Sequence, residues 1–386
     1  MPSEIKTNLL IVGAGPFGLA LSAQAAQLGI EHLLAGKPME FWQNNMPKGM
    51  YLRSACDWHL DPLNIHTIEA FLSSQGKTPA DVEPLSLHFY QTYAAWFQQQ
   101  KGIVAEPHII EQLDLSLDDN GFTATTRDGL RVFAHKVVLA PGFKNFANVP
   151  SDLRARLPEG RFSHTCDFVD FEAAKGKRYL IIGGRQSAFE WAALLLESGA
   201  GAVHISHRHD SPAFAVSDWS WVNPLVDRIA EDPNWFRQLS QEEKDALEKR
   251  LWAEGRLKVE PWLEARLNDD RVRIWPRTEL EATSAENGSL VVQLNDGNRV
   301  TVDQIVLATG YKVKISQLPY LAAGNILGRL KTQNGFPVLD DHFQTSLPGL
   351  FITSMPATQD FGPFFGFTIA VRASAKLICE AVVRSC

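Results

Sequence analysis

Cysteine is scarce here: Cys56, Cys166, Cys379 and Cys386 are the four in a chain of 386 residues, and no two form a C-x-x-C pair. That spacing excludes a local redox dithiol and a zinc ribbon, and it leaves free thiols in a reducing cytoplasm as the expectation. Missing too is any apolar run near the roughly 20 residues that cross a bilayer. The opening Met1-Pro2-Ser3-Glu4-Ile5-Lys6 lacks the layout of a signal peptide, so a soluble, cytoplasmic protein with no membrane partner is expected. There is no basic stripe either. The net charge of -7 is spread along the chain, which argues against a nucleic-acid partner.

What the chain does have is length for two cores and a phrase stated twice. Asn8-Leu9-Leu10-Ile11-Val12 reads as a buried strand, followed by Gly13-Ala14-Gly15-Pro16-Phe17-Gly18 and a helical pattern closing near Leu28-Gly29. Later, Arg178-Tyr179-Leu180-Ile181-Ile182 leads into Gly183-Gly184-Arg185-Gln186-Ser187-Ala188 and a second helical run with Gly199 just beyond it. Each unit continues into a meander with turn signals, Asp128-Gly129 in one and Asp296-Gly297 in the other. Each meander ends in a matching phrase, Leu139-Ala140-Pro141-Gly142 and Leu307-Ala308-Thr309-Gly310. First glycine to last spans 129 positions in one copy and 127 in the other, as a duplicated nucleotide-binding domain predicts. The expected class is therefore α/β with two Rossmann-like dinucleotide-binding domains, each carrying a β-meander and an insertion. The insertions fall at about 37–101 and, with five tryptophans, at about 210–267.

The chemistry of the loops follows from their residues. Gly13 permits the tight turn, Gly15 lets a pyrophosphate approach the backbone, and Gly18 lets helix and strand pack closely. The phosphates then meet a helix N-terminus, where amide donors and the dipole favour anions. The acid expected about 20 residues on, for the ribose, is absent from Leu33-Leu34-Ala35-Gly36, and Glu40 is the candidate in its place. In the second loop Arg185 stands where the second glycine belongs, with Ser187 as a further phosphate donor. His207-Arg208-His209 follows the next strand where an acid would favour NAD, and Arg208 there favours NADP. The same histidines with Asp210 could be read as a metal site, but their place at the end of a nucleotide-binding strand explains the basic character without an ion.

Two such loops with their meanders and A-x-G phrases resemble the two-dinucleotide-binding-domain flavoproteins over nearly the whole chain. Gly13 to Leu21 and Leu307-Ala308-Thr309-Gly310-Tyr311 are similar to class B flavin monooxygenases, especially the N-hydroxylating amine oxygenases. Gly160-x-x-x-His164-x-x-x-Phe168 is a partial match to a fingerprint of that group, with Pro158 replacing its first Phe and His164 as a linker residue coupling the domains. Near the end, Met355 stands where thioredoxin-reductase relatives carry an Asp, which with the missing C-x-x-C argues against a disulfide reductase.

The resemblance implies FAD on 1–155 with 315–386, and NADPH on 156–314. It implies cofactor contacts from Gly13, Gly15, Pro16, Phe17, Gly18, Glu40, Trp42 and Gly142, and from Gly183, Gly184, Arg185, Gln186, Ser187, His207, Arg208, Thr309 and Gly310. Phe361-Gly362 is expected to open a helix whose N-terminus faces the flavin. Hydride would pass from NADPH to FAD, and oxygen from a C4a-(hydro)peroxide to a small organic substrate, an amine before a sulfide or a ketone. Arg53 is the first candidate beside that oxygen, with His59 and Asp57 behind it. The rival readings are an NADPH-dependent flavoprotein reductase or oxidase without oxygen transfer, and a non-catalytic nucleotide-binding redox sensor. A homo-oligomer is left open, and no metal is expected.

Overall fold

The computed structural model describes residues 4–116 and 120–384, so Cys386 lies outside it. The first apolar run is the end of a nine-residue strand, β1 (Glu4–Val12), and α1 (Pro16–Gln27) follows the glycine turn. With β2 (His32–Ala35), β3 (Ala105–Glu106), β4 (Ile110–Leu115), β5 (Phe122–Thr126) and β6 (Arg131–Leu139), it forms a sheet ordered β3-β2-β1-β6-β5-β4. Leu9, Leu10 and Ile11 are fully buried, as strands covered on both faces require. The outer edge of β6 is shared. Antiparallel β5 pairs with Arg131–Ala134, and a late strand, Leu350–Ile352, pairs in parallel with Val137–Leu139.

The second sheet draws on β7 (Phe162–His164), β8 (Arg178–Ile182), β9 (Ala202–His207) and β10 (Val272–Pro276). A separate antiparallel meander follows, β11 (Leu280–Glu286), β12 (Ser289–Leu294) and β13 (Arg299–Val302). The chain then returns to the sheet as β14 (Gln304–Leu307), giving the all-parallel order β10-β9-β8-β14-β7. α2 (Gln186–Glu197) follows the second loop, and Gly199 just past it takes a left-handed φ of 84°.

The two copies agree in register. Val12 pairs with both Ala35 and Leu139, and Ile182 with both Ser206 and Leu307, so each glycine loop emerges at the corner of three strand ends. A Cβ on Gly13 would lie 2.3 Å from the Ala140 carbonyl oxygen, and one on Gly183 2.4 Å from that of Ala308. The A-x-G phrases are therefore the backbone against which the first glycine of each loop packs.

The insertions are mainly helical. The first holds Glu40–Asn44, Ile68–Ser73 and Leu87–Gln100. The second holds Val222–Glu231, α3 (Gln241–Gly255) and Trp262–Leu267, with a Ser240–Glu243 capping box starting α3. One expected start is corrected. Phe361-Gly362 does not open the last helix, because Gly362 turns to φ 94° and the Phe361 ring stacks on Phe343 at 3.8 Å. Short turns follow, and α4 (Val371–Arg384) begins ten residues later and packs on α1.

Candidate functional site

One cavity of about 460 Å³ joins the two copies. Its floor is Gly13–Phe17, its flanks are Gly36–Trp42 and Ala140–Lys144, and its far end is Gly310 and Tyr311 with Ser187 and Trp191 of α2. Met46, Met50, Phe143 and Phe367 make much of the wall apolar. A shallower depression of about 710 Å³ lies around Leu28–Glu31, Lys136 and Gly349. That depression sits at the N-terminal ends of the strands, whereas ligands of open α/β sheets bind at the carboxyl ends.

The first loop fits a pyrophosphate. Gly15 caps α1, and a Cβ added there would meet nothing within 4 Å, so the backbone at this helix N-terminus faces open cavity. Lys37 and Glu40, 3.8 Å apart, stand beside Gly36 on the same wall, where a ribose would be read. Ser354 lines the cavity at a φ of 65°, and its buried hydroxyl has no hydrogen-bond partner. Burying such a group unpaired costs about 1–3 kcal/mol, and a bound ligand would relieve that cost. Of the residues expected here, Gly13, Gly15, Pro16, Phe17, Glu40, Trp42, Gly142 and Gly310 line the cavity. Gly18 lies behind it, tight against the Gly13 carbonyl. Phe361 and Gly362 are off the wall, and Gly366-Phe367-Thr368 take their place.

In the second loop the small residues are rearranged. Ala14 faces Gly36 in the first copy, whereas Gly184 faces His207 in the second, where a Cβ on Gly184 would fall 2.5 Å from the imidazole. Burial holds His207 below the usual histidine range. Its Nδ1 lies 2.8 Å from the His209 carbonyl, which assigns the proton to Nδ1 and leaves the buried Nε2 an acceptor without a partner. Among the described residues no group of histidine, cysteine and carboxylate could hold a metal. Arg185 does not fill the pyrophosphate position, since its guanidinium lies over the Trp252 ring at 4.8 Å. Gln186 accepts from the Glu260 amide at 3.0 Å, and the Thr309 hydroxyl donates to the Asn148 carbonyl. Arg208 is exposed, and Ser187 faces the shared cavity.

The structure holds the three residues expected to act on oxygen on other partners. Arg53 donates to Glu260 at 2.8 Å, to the Gly255 carbonyl at 2.8 Å and to Ser217. It therefore ties the first insertion to the second, while its neighbours Met50 and Ser54 line the cavity. Asp57 accepts from Asn223. His59 is buried between the Asp61 amide and Arg372, and burial followed by the Arg372 charge pulls it down to about 4. None of the three is on the cavity wall.

Sequence reasoning missed Tyr311, Phe143, Trp191 and Ser354, which meet only through the tertiary fold. Tyr311 packs edge-on against both Phe143 and His164, with centroids 5.1 and 5.3 Å apart. His164 bonds through Nε2 to the Gly310 carbonyl at 3.0 Å, and its Nδ1 accepts from the Cys166 amide at 3.3 Å. That pattern assigns the proton to Nε2, and burial lowers the ring's pKa, so His164 is a neutral tie between β7 and the end of β14. Asn45 of the first insertion donates to the Cys166 carbonyl at 2.8 Å and completes the joint.

Among solved structures, an ornithine N-hydroxylase from Kutzneria sp. 744 superposes with a TM-score of 0.80 at 14% identity, covering 98% of this chain and 99% of that one. An L-lysine 6-monooxygenase from Pseudomonas syringae gives 0.75 at 18%, with coverage of 98% and 99%. These likenesses show the fold. Among curated proteins, ferredoxin–NADP reductase of Paraburkholderia phymatum is 25% identical over 57% of this chain and 56% of its own length. Trimethylamine monooxygenase of Methylocella silvestris is 26% identical over 36% and 32%. FAD-dependent urate hydroxylase of Xanthomonas campestris pv. campestris is 34% identical over 20% and 17%. The chain thus spans little more than half, or less, of the curated relatives it matches. No helix among the described residues is long and apolar enough to cross a membrane. Two models described as pyridine nucleotide-disulphide oxidoreductase match residues 10–235 and 242–353, and with more than half its length matched by the first, the chain belongs to that family.

Proposed function

We propose that the chain is an FAD- and NADPH-dependent monooxygenase whose oxygen acceptor is an amine nitrogen. The observation that carries this reading is the single cavity running from the first glycine loop to the first turns of α2. In this reading 1–155 with 315–386 holds FAD, and 156–314, with its helical insertion at 210–267, holds NADPH. Bound there, FAD supplies hydride acceptance and dioxygen activation. The chain binds, orients and excludes water. First-turn amides of α1 and the Ser354 hydroxyl hold the first cofactor, Lys37 and Glu40 address its ribose, and Met50, Phe143, Tyr311 and Phe367 keep the reacting region dry.

The choice of an amine is supported by the trimethylamine monooxygenase similarity. Among the wall's described residues the only carboxylate is Glu40, already paired with Lys37. The reacting region therefore offers no anion to hold an ammonium ion, and an amine acceptor would enter it as the neutral form with a free lone pair. Among the described residues thiol chemistry has no support, because Cys56, Cys166 and Cys379 are buried and free, and burial pushes the Cys166 thiol up to about 11.

The test is a single turnover. Protein loaded with FAD is reduced anaerobically by NADPH, then mixed with ¹⁸O-labelled dioxygen in the presence of a panel of tertiary and primary amines, sulfides and ketones. Labelled N-oxygenated product is the expected result. Recovery of all reducing equivalents as hydrogen peroxide across the panel would instead make the chain an NADPH-dependent reductase or oxidase.

A further inference from the structure

The end of α3 lies over the second glycine loop. Trp252 sits in its last turn, and Arg256 is its C-cap. Two guanidinium groups lie near the Trp252 ring, Arg185 at 4.8 Å and Arg256 at 5.0 Å from its centroid. Arg208, one residue past β9, adds a third positive charge near Arg185. Burial, then Arg256 and Arg208, pull Arg185 down to about 10, and burial lowers Arg256 as well.

Among the described residues none of these three arginines makes an ion pair. Arg53, Arg178 and Arg266, by contrast, each contact a carboxylate at 2.8 to 2.9 Å. Glu248 offsets part of the charge on Arg256 from beyond ion-pair distance, and a cluster of like charges that lacks a direct carboxylate contact is one that a bound anion would stabilise. The end of β9 is also where this fold reads the adenosine ribose, and an arginine there accommodates a 2′-phosphate.

We propose that Arg256, supplied by the helical insertion and steadied on Trp252, joins Arg185 and Arg208 in holding the 2′-phosphate of NADPH. The insertion, and not the loop alone, then sets the preference for NADPH over NADH. Planar guanidinium groups suit a phosphate monoester because they donate in pairs, and an aromatic platform spares part of their ordering entropy. The proposal rests on the reading that a nicotinamide dinucleotide occupies the second loop.

The test is calorimetric titration of the FAD-loaded chain with adenosine 2′,5′-bisphosphate, 5′-AMP and inorganic phosphate. Wild type is expected to bind the bisphosphate at least tenfold more tightly than 5′-AMP. Arg256→Gln should lose roughly 10- to 100-fold on the bisphosphate, the range for charge-assisted hydrogen bonds, with 5′-AMP unchanged, and Arg256→Lys should recover part of the loss. Trp252→Leu should show the same selective loss with a smaller size. Equal loss for both nucleotides, or no loss, overturns the proposal, and so does inorganic phosphate binding as tightly as the bisphosphate. If NADPH still bleaches the flavin while Arg256→Gln keeps wild-type selectivity, the arginine assignment alone falls. If neither NADPH nor NADH bleaches it in wild type, the dinucleotide reading falls too.

Discussion

Replacing Gly15 by alanine separates what the first loop does for a ligand from what it does for the fold. At this position φ is -79° and ψ is -168°, a conformation alanine adopts freely. The new methyl meets no atom within 4 Å, so the cofactor-free protein should be unchanged or more stable by about 0.4–1 kcal/mol. The open space it enters is where a pyrophosphate oxygen must come within about 3 Å of backbone N–H groups. Losing two charge-assisted bonds of about 1.5–3 kcal/mol each raises the FAD Kd roughly 10²- to 10⁴-fold. Flavin-fluorescence titration gives the Kd, and urea denaturation of the apoprotein gives the stability. Gly13→Ala is the contrast: its methyl would lie 2.3 Å from the Ala140 oxygen at a φ of 108°, so there the apoprotein itself should be weakened. Wild-type FAD affinity in Gly15→Ala, or an apoprotein destabilised by more than about 1 kcal/mol, would refute the reasoning.

Ser354→Ala should stabilise the apoprotein by about 1 kcal/mol or more, since the buried hydroxyl it removes has no partner, while weakening FAD by about 1 kcal/mol, roughly fivefold in the same titration. Arg53→Met should cost about 3 kcal/mol in urea denaturation, because it strands the Glu260 carboxylate, whose side chain is 8% exposed. The rate of flavin reduction per bound FAD should survive, and a thousandfold loss of that rate would return Arg53 to the chemistry. His59 titrates near 4 in the fold against 6.5 in the unfolded chain. The unfolded state therefore takes up the proton first, so stability is full above pH 6.5 and falls as pH drops toward 4. The fall is about 3 kcal/mol at most from this group, and denaturation midpoints of wild type and His59→Asn at pH 7 and pH 5 measure it.

The glycine loops were legible because strand, turn and helix are local: the alternatives at Gly13 and Gly183 are closed by contacts with their own A-x-G phrases. The meanders were legible for the same reason. The contacts of Arg53 were not legible because its partners Glu260 and Gly255 lie some 200 residues away, and nothing in the pattern around Met50–His59 shows that the second insertion reaches it. Phe361-Gly362 was expected to open a helix from the family resemblance, but buried stacking of Phe361 on Phe343 holds the chain in turns. Tyr311 stood inside the Leu307-Ala308-Thr309-Gly310-Tyr311 phrase, but its place on the cavity wall, like that of Ser354, is set by which strand end it stands beside.

The divided edge of β6 has a consequence for synthesis. Its first half is paired by β5, which emerges just before it, but its second half waits for Leu350–Ile352, about 210 residues later. At roughly 5–20 residues per second, Val137–Leu139 stays an open strand edge for about 10–40 seconds while the whole second copy is translated. Such an edge can recruit another chain. A nascent chain stalled between residues 140 and 350 should therefore depend on chaperones more than the finished one, and the last strand closes a sheet begun by the first.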